Sequence, residues 1–365
     1  MRAQYSSEFS RVPIESAFVP TVYELCLAEQ CAAKFDMATH KCSILDRNLL
    51  PVSLYRVDET SMYSAIINWL IRRALPISRK NYEAIIKSVG IAGNTDVFSI
   101  ISKYYALSLV DNYWIRPEQS NLHYSEVNLY HHHFADLQSV SLFGGKPLTI
   151  SDTSPDINQR GCMSKCYSRE NDKIFIYKYS EYTEKIYAEV FASKLAQVCG
   201  FDTIAYATAI KQRKLCSKCQ IGTSVNINWI TASELSLAGM NPKEIAVKLT
   251  PERYYQMLFF DYVTGNIDRH NENWSFLMNN YGVILGLTPL YDFDNCFIAE
   301  DNEVSKITLR PMIRDAIIAL NNLNKATNII TTLSTFLQTA VLDDSSYKSF
   351  AQYSLSRLND LSSSL

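Results

Sequence analysis

The sequence has no stretch near the roughly 18 consecutive apolar residues that a membrane-crossing helix needs. Residues Met1 to Pro20 also lack the unbroken apolar segment of a signal peptide, so a cytosolic protein with no membrane partner is expected. Charge of one sign is missing too. With 35 Lys and Arg against 37 Asp and Glu the net charge is −2, so no global field favours nucleic acid, and no direct nucleic-acid contact is expected. The best local basic patch, Lys211, Arg213, Lys214 and Lys218, has no aromatic ladder beside it in sequence and reads as a solvated hairpin. Nine cysteines, an odd number spread over 365 residues, exclude an obvious disulfide framework. Cys216-Ser217-Lys218-Cys219 is the one close C-x-x-C pair, and without a second such pair the four ligands of a structural zinc site are not assembled; Cys162 and Cys166 are the nearest further candidates. His131, His132 and His133 cannot all face one ion on regular structure, because neighbouring side chains diverge.

What is present is concentrated in the C-terminal half. Gly265-Asn266-Ile267-Asp268-Arg269-His270-Asn271-Glu272-Asn273 is followed shortly by Tyr291-Asp292-Phe293-Asp294. Phosphoryl transfer needs an Asp to orient the attacking hydroxyl, an amide or carboxylate to hold magnesium, and a second Asp to bridge metal and nucleotide phosphates. In protein kinases the base Asp precedes the magnesium-binding Asn by five residues, which is the spacing of Asp268 and Asn273. Between the two motifs, 274–278 reads as a strand, 279–282 as a turn and 283–287 as the returning strand, so a hairpin brings Asp292 back beside Asn273. Two bare carboxylates about 4 Å apart repel by about 4 kcal/mol at an effective dielectric of about 20. Such a cluster calls for a hard cation, and magnesium with nucleotide phosphates suits oxygen ligands. Arg269 reads as the partner of a neighbouring acid, and His270 as an orienting or packed histidine rather than a metal ligand.

These runs, together with Thr288-Pro289-Leu290 before the second motif, resemble the catalytic signature of the HipA-like serine/threonine kinases, a bacterial family. The resemblance extends upstream through 107–115 and Thr153-Ser154-Pro155, and covers roughly residues 40 to 300. It implies an α+β, two-lobed protein-kinase-like fold, with ATP and Mg2+ as cofactors and a protein hydroxyl as acceptor. Many members are toxins of toxin–antitoxin pairs, so a small DNA-binding antitoxin is an implied partner. Carried over by position, Asp268 is the catalytic base, Asn273 and Asp292 are magnesium ligands, and Asp294 is a supporting acid.

The strand Ile174 to Tyr179, followed by a helix over 182–198, has the layout of a kinase N-lobe, with Lys178 as the phosphate-binding lysine. Its helix partner is Glu189 by resemblance to family sequences around Tyr187 to Ser193; Glu184 is also within reach. The loop 154–165 stands where relatives carry a glycine-rich phosphate loop and a lysine, which points to Gly161 and Lys165 as nucleotide contacts. Here a single glycine replaces the usual Thr-Gly-Gly run.

Composition, 47% apolar, allows a large core and two or three units. The expected organisation is a mixed, α-rich module over 1–141, a kinase-like N-lobe over 142–240 and a helical catalytic lobe over 241–365. In the first unit, apolar stretches at 31–35 and 49–55 suggest an antiparallel hairpin, and helices are expected over 62–75, 80–88 and 96–105. Thr250-Pro251-Glu252 reads as a helix start with Thr250 as N-cap, and further helices are expected over 313–323, 326–342 and 346–358. Two other functions stay open: a nucleotide-binding pseudokinase that acts by holding a partner, motivated by the sparse glycine loop, and a kinase for a lipid or small molecule.

Overall fold

Val22–Leu27 (β1) and Gln30–Asp36 (β2) form an antiparallel hairpin, extended by Lys41–Ile44 (β3) and Tyr113–Pro117 (β4) into a sheet of order β3-β2-β1-β4. The computed structural model describes residues 21–88, 96–146, 153–159, 163–298, 302–342 and 347–362. Gly161 and Cys162 therefore lie outside the described residues. The hairpin expected between 31–35 and 49–55 does not form. Residues 31–35 pair instead with Val22–Leu27, and 47–54 makes two short 3-10 turns around Pro51, which has no N–H to give to a ladder.

Three helices follow close to their expected places: Met62–Ile71 (α1), Tyr82–Ser88 (α2) and Val97–Lys103 (α3). Asp96 caps α3 by accepting a 2.9 Å hydrogen bond from the Ser99 N–H. Helix α1 buries Met62, Ile66, Trp69 and Leu70 and stops short of Leu75. Two short helices, Tyr124–Val127 (α4) and Gln138–Phe143 (α5), lead to the second sheet, with His131 to His133 in the turn and loop between them.

The second sheet is built from Ser164–Glu170 (β5), Lys173–Tyr179 (β6), Tyr206–Lys211 (β7) and Lys214–Gln220 (β8), all antiparallel, in the order β5-β6-β8-β7. Helix Thr183–Val198 (α6) connects β6 to β7 and packs on β7 and β8. Lys165 pairs with Lys178, and Lys178 with Ser217, so these three side chains share one face.

A third sheet, of order β11-β10-β9, contains the expected hairpin: Ile227–Thr231 (β9), Ser275–Asn279 (β10) and Ile284–Leu287 (β11). Around it stand Ala232–Leu237 (α7), Pro242–Leu249 (α8), Pro251–Thr264 (α9), Asn302–Asn322 (α10), Ala326–Leu342 (α11) and Lys348–Ser362 (α12). Pro251 does open α9, but Thr250 makes no side-chain cap; its hydroxyl faces the Ala246 carbonyl of α8. Helix α10 starts well before the expected residue 313 and carries Pro311 inside it. One core joins the first sheet, α1 and the hairpin through Leu25, Ile66, Phe276 and Met278. A second joins α6 and α9 to α12 through Phe191, Phe260, Ile317 and Leu333. Helix α9 contributes to both, Met257 to the first and Phe259 and Phe260 to the second, which makes it a fixed support for the loop at its end. Among the described residues no helix is long and apolar enough to cross a membrane.

Candidate active site

Helix α9 ends at Gly265, whose φ of 66° is the left-handed conformation that reverses the chain; a Cβ there would lie 2.0 Å from the Tyr353 hydroxyl. The turn is then pinned by Asn266. Its Nδ2 donates to Asp261 at 3.2 Å, and its Oδ1 accepts the Asp268 N–H at 3.2 Å. The Asp268 side chain stays 43% exposed. Oδ2 of Asp268 accepts from Asn295 Nδ2 at 2.8 Å and Asn273 Nδ2 at 3.3 Å. Asn273 Nδ2 also donates to the Asp268 carbonyl at 2.8 Å, which leaves the Asn273 Oδ1 as the amide atom available to a cation.

Arg269 joins the two motifs. Its Nε lies 3.2 and 3.1 Å from the two oxygens of the buried Asp261, and Nη1 donates to the carbonyls of Asn273 at 2.6 Å and Tyr291 at 2.8 Å. The acid it partners thus comes from α9, and the same guanidinium clamps Asn273 to the residue before Asp292. Burial pushes the Asp261 carboxyl up, against the pull of Arg269. Removing the arginine would leave that carboxylate buried alone.

Lys178 stands on the inner face of the second sheet, 13% exposed. Nζ donates to Glu189 Oε1 at 2.5 Å and to Asp292 Oδ1 at 2.7 Å, bridging α6 and the second motif. Glu189 gives its other oxygen to the Ser217 hydroxyl at 2.5 Å, and Glu184 is exposed on the first turn of α6. Burial disfavours the ammonium, but the charges of Asp292 and Glu189 outweigh it and hold the Lys178 pKa well above its usual value. Burial likewise opposes ionisation of Asp292, yet Lys178 keeps its carboxyl at about 2. Asp292 also has φ of 62°, a left-handed backbone that is uncommon away from glycine and is typical of strained functional positions. Asp294 is 8% exposed and accepts no hydrogen bond among the described residues; burial and the charge of Asp292 push its carboxyl up. Lys165, next to Lys178 in register, is pushed down to about 8 by burial and by the charges of Arg79 and Lys178.

The predicted residues Asp268, Asn273, Lys178, Glu189, Asp292, Asp294 and Lys165 therefore come together, while Gly161 lies outside the described residues. A cleft beside Lys178 is lined by Met163, Ser180, Lys185, Glu189, Ser217 and Asp294. A second pocket lies behind Arg269 between α9 and 287–291; the acids of the cleft do not line it. Sequence reasoning missed Ser217, Lys185, Asn295 and Asp261. The Asp-Phe-Asp-Asn run was the one local signal that could have drawn attention to Asn295.

The reading of the basic patch changes. The basic residues Lys211, Lys214 and Lys218 do have aromatic neighbours, Phe175, Tyr177 and Tyr179 of β6 with Phe143 of α5, with ring centroids 4.0 to 5.4 Å from the ammonium groups. Glu170 also pairs with Lys211 at 3.3 Å and Lys218 at 2.5 Å, so the patch is satisfied by its own rings and acid. Cys216 and Cys219 are both buried, and three residues apart on a strand they point to opposite faces. Among the described residues, the one trio of Cys, His or acidic ligand atoms within 4.8 Å is Glu24, Cys26 and Cys31 in the first sheet. The Glu24 carboxylate there is already held by Arg116 at 2.8 Å and Lys34 at 3.2 Å, with no cation needed.

No protein-family model and no curated protein matches the chain. Among solved structures, HipA of Shewanella oneidensis MR-1, from the toxin–antitoxin complex of HipA, HipB and operator DNA, matches with a TM-score of 0.56 at 16% identity, covering 93% of this chain and 97% of that one. The chain has a HipA-like kinase fold. Looser matches are the Helicobacter pylori proinflammatory kinase CtkA, with a TM-score of 0.39 at 15% identity over 55% of this chain and 90% of that one, and an N-terminal fragment of Legionella pneumophila LepB, with a TM-score of 0.33 at 12% identity over 53% and 46%. At those scores neither carries an argument. The cleft beside Lys178 is formed by the second sheet, α6 and the loop that carries Asp294.

Proposed function

We propose that the protein is an ATP- and magnesium-dependent kinase that transfers the γ-phosphoryl group to a serine or threonine hydroxyl of a protein. The observation that carries this reading is the pair of links across the cleft, Lys178 to Asp292 and Arg269 to both Asn273 and Tyr291, which unite a phosphate anchor, an acid pair and an exposed carboxylate. The donor set fits a hard cation. Asp292, Asp294 and the Asn273 carbonyl are all oxygen ligands, and the buried Asp294 lacks a hydrogen-bond partner among the described residues. When bound, magnesium would neutralise the charge that builds on the transferring phosphoryl group. Lys178, fixed by Glu189, is placed to bind the nucleotide phosphates, with Lys165 beside it as a second cation. Asp268 orients the acceptor hydroxyl and takes its proton, and Asn273 holds Asp268 while offering its own carbonyl to the metal.

The HipA structure was determined with HipB and operator DNA, which supports a small DNA-binding protein as a partner for this chain, in the cytosol. Transfer from labelled ATP with magnesium tests the reaction. Wild-type protein is expected to label itself or a protein substrate, and Asp268→Asn to lose about 10² to 10⁴-fold of that rate while remaining folded. Nucleotide binding with no transfer by wild type would instead make the protein a pseudokinase, and unchanged transfer by the variant would refute the base.

A further inference from the structure

Two polar residues outside the sequence motifs connect α6 to Asp268. Lys185 Nζ donates to Asn295 Oδ1 at 2.9 Å, and Asn295 Nδ2 donates to Asp268 Oδ2 at 2.8 Å. An amide is suited to the middle of such a chain because one end accepts and the other donates. Lysine can only donate, so it fixes the carbonyl end of Asn295 toward itself and turns the NH2 end toward the carboxylate. Asn273 donates to the same Oδ2 at 3.3 Å. The other oxygen, Oδ1, accepts no hydrogen bond among the described residues; His270 Nε2 stands 3.7 Å from it, beyond hydrogen-bond range.

We propose that Lys185 and Asn295 form a positioning relay that holds Asp268 by Oδ2 and leaves Oδ1 as the atom that accepts the proton of the substrate hydroxyl. The inference rests on the reading of Asp268 as the base. It adds a consequence for α6. Lys185 and Glu189 are four residues apart and share one face of that helix, so α6 orients Lys178 through Glu189 and Asp268 through Lys185 and Asn295. A shift of α6 would therefore loosen the phosphate anchor and the base together. Neither relay residue touches the acceptor, so their effect falls on geometry, where displacement by about 1 Å can cost about 10²-fold in rate.

The test is steady-state transfer, nucleotide affinity and thermal melting of Asn295→Ala, Lys185→Met, Lys185→Arg and the Asn295→Ala/Lys185→Met double variant. In each Ala or Met single variant kcat is expected to fall by about 10 to 100-fold with the melting temperature unchanged, and in Asn295→Ala, whose side chain does not line the cleft, KM for ATP is unchanged as well. Because the two act in series, the double variant should fall no further than the worse single, and Lys185→Arg should restore most of the rate. The relay is overturned if kcat of Asn295→Ala stays within about twofold of wild type, if the two losses multiply, or if they follow a lowered melting temperature. Wild-type transfer that Asp268→Asn leaves intact would overturn the base assignment instead, and the relay with it.

Discussion

The two faces of the β5-β6-β8-β7 sheet carry similar residues with different outcomes. On the outer face Lys211, Lys214 and Lys218 lie over rings from β6 and α5, and Lys211 and Lys218 share Glu170, all partners within the same small unit. On the inner face Lys178 meets Glu189 from α6 and Asp292 from a loop 114 residues away in sequence, with Lys165 as its cross-strand neighbour. Residue type does not distinguish the faces; the origin of the partners does. Local partners satisfy a charge, whereas partners from separate elements gather acids and cations into a cleft where a charged ligand can complete the balance.

Breaking the inner face should produce the largest effect. Lys178→Met leaves the buried Glu189 and the partly exposed Asp292 without their shared cation, and is expected to cost about 1 to 3 kcal/mol of stability, read by denaturant unfolding, together with loss of nucleotide binding. A wild-type unfolding midpoint in that variant would reduce the inner cluster to an ordinary surface pair. A smaller effect sharpens the role of Lys165. Its pKa of about 8 in the free protein should rise when a phosphate binds beside it, because the anion favours the charged ammonium. Binding of magnesium nucleotide should then take up a proton above about pH 8, and affinity should weaken with rising pH by at most about tenfold per unit toward about pH 10.4. Calorimetry in buffers of different ionisation enthalpy reads that uptake, and its absence would remove Lys165 from the phosphate site. The outer face should respond least. Lys218→Ala is expected to change stability by about 1 kcal/mol or less and to leave transfer unchanged, in keeping with an exposed cation–π contact; a marked loss of transfer would give that face a function.

The site was legible where its logic is local. The spacing of Asp268 and Asn273, and the turn signals at 279–282 that return Asp292, are properties of one short stretch, and the hairpin forms as that stretch dictates. Lys178 was legible as a strand residue before a helix, and the choice of Glu189 over Glu184 came from family resemblance; burial agrees with it. Ser217, Lys185, Asn295 and Asp261 were not legible, because each owes its role to a partner brought near only by the packing of α6, β8 or α9. The aromatic ladder escaped for the same reason: its rings stand on the neighbouring strand β6, so it runs across the sheet rather than along the β7–β8 hairpin. In the first sheet, apolar spacing gave residues 31–35 as a strand but paired it with 49–55, whereas its partner is Val22–Leu27, a non-local choice that spacing does not carry. Helix α10 begins ahead of the expected 313 and runs through Pro311 where it packs along α9.

The claim that Asp292 and Asp294 hold a divalent ion together with a nucleotide is tested most directly by titrating ATP into wild type, Asp292→Asn and Asp294→Asn, each with and without Mg2+. Wild type should bind ATP strongly when magnesium is present and weakly when it is absent, with that magnesium dependence lost in Asp292→Asn and reduced in Asp294→Asn. Equal ATP binding by all three proteins, indifferent to magnesium, would contradict the account.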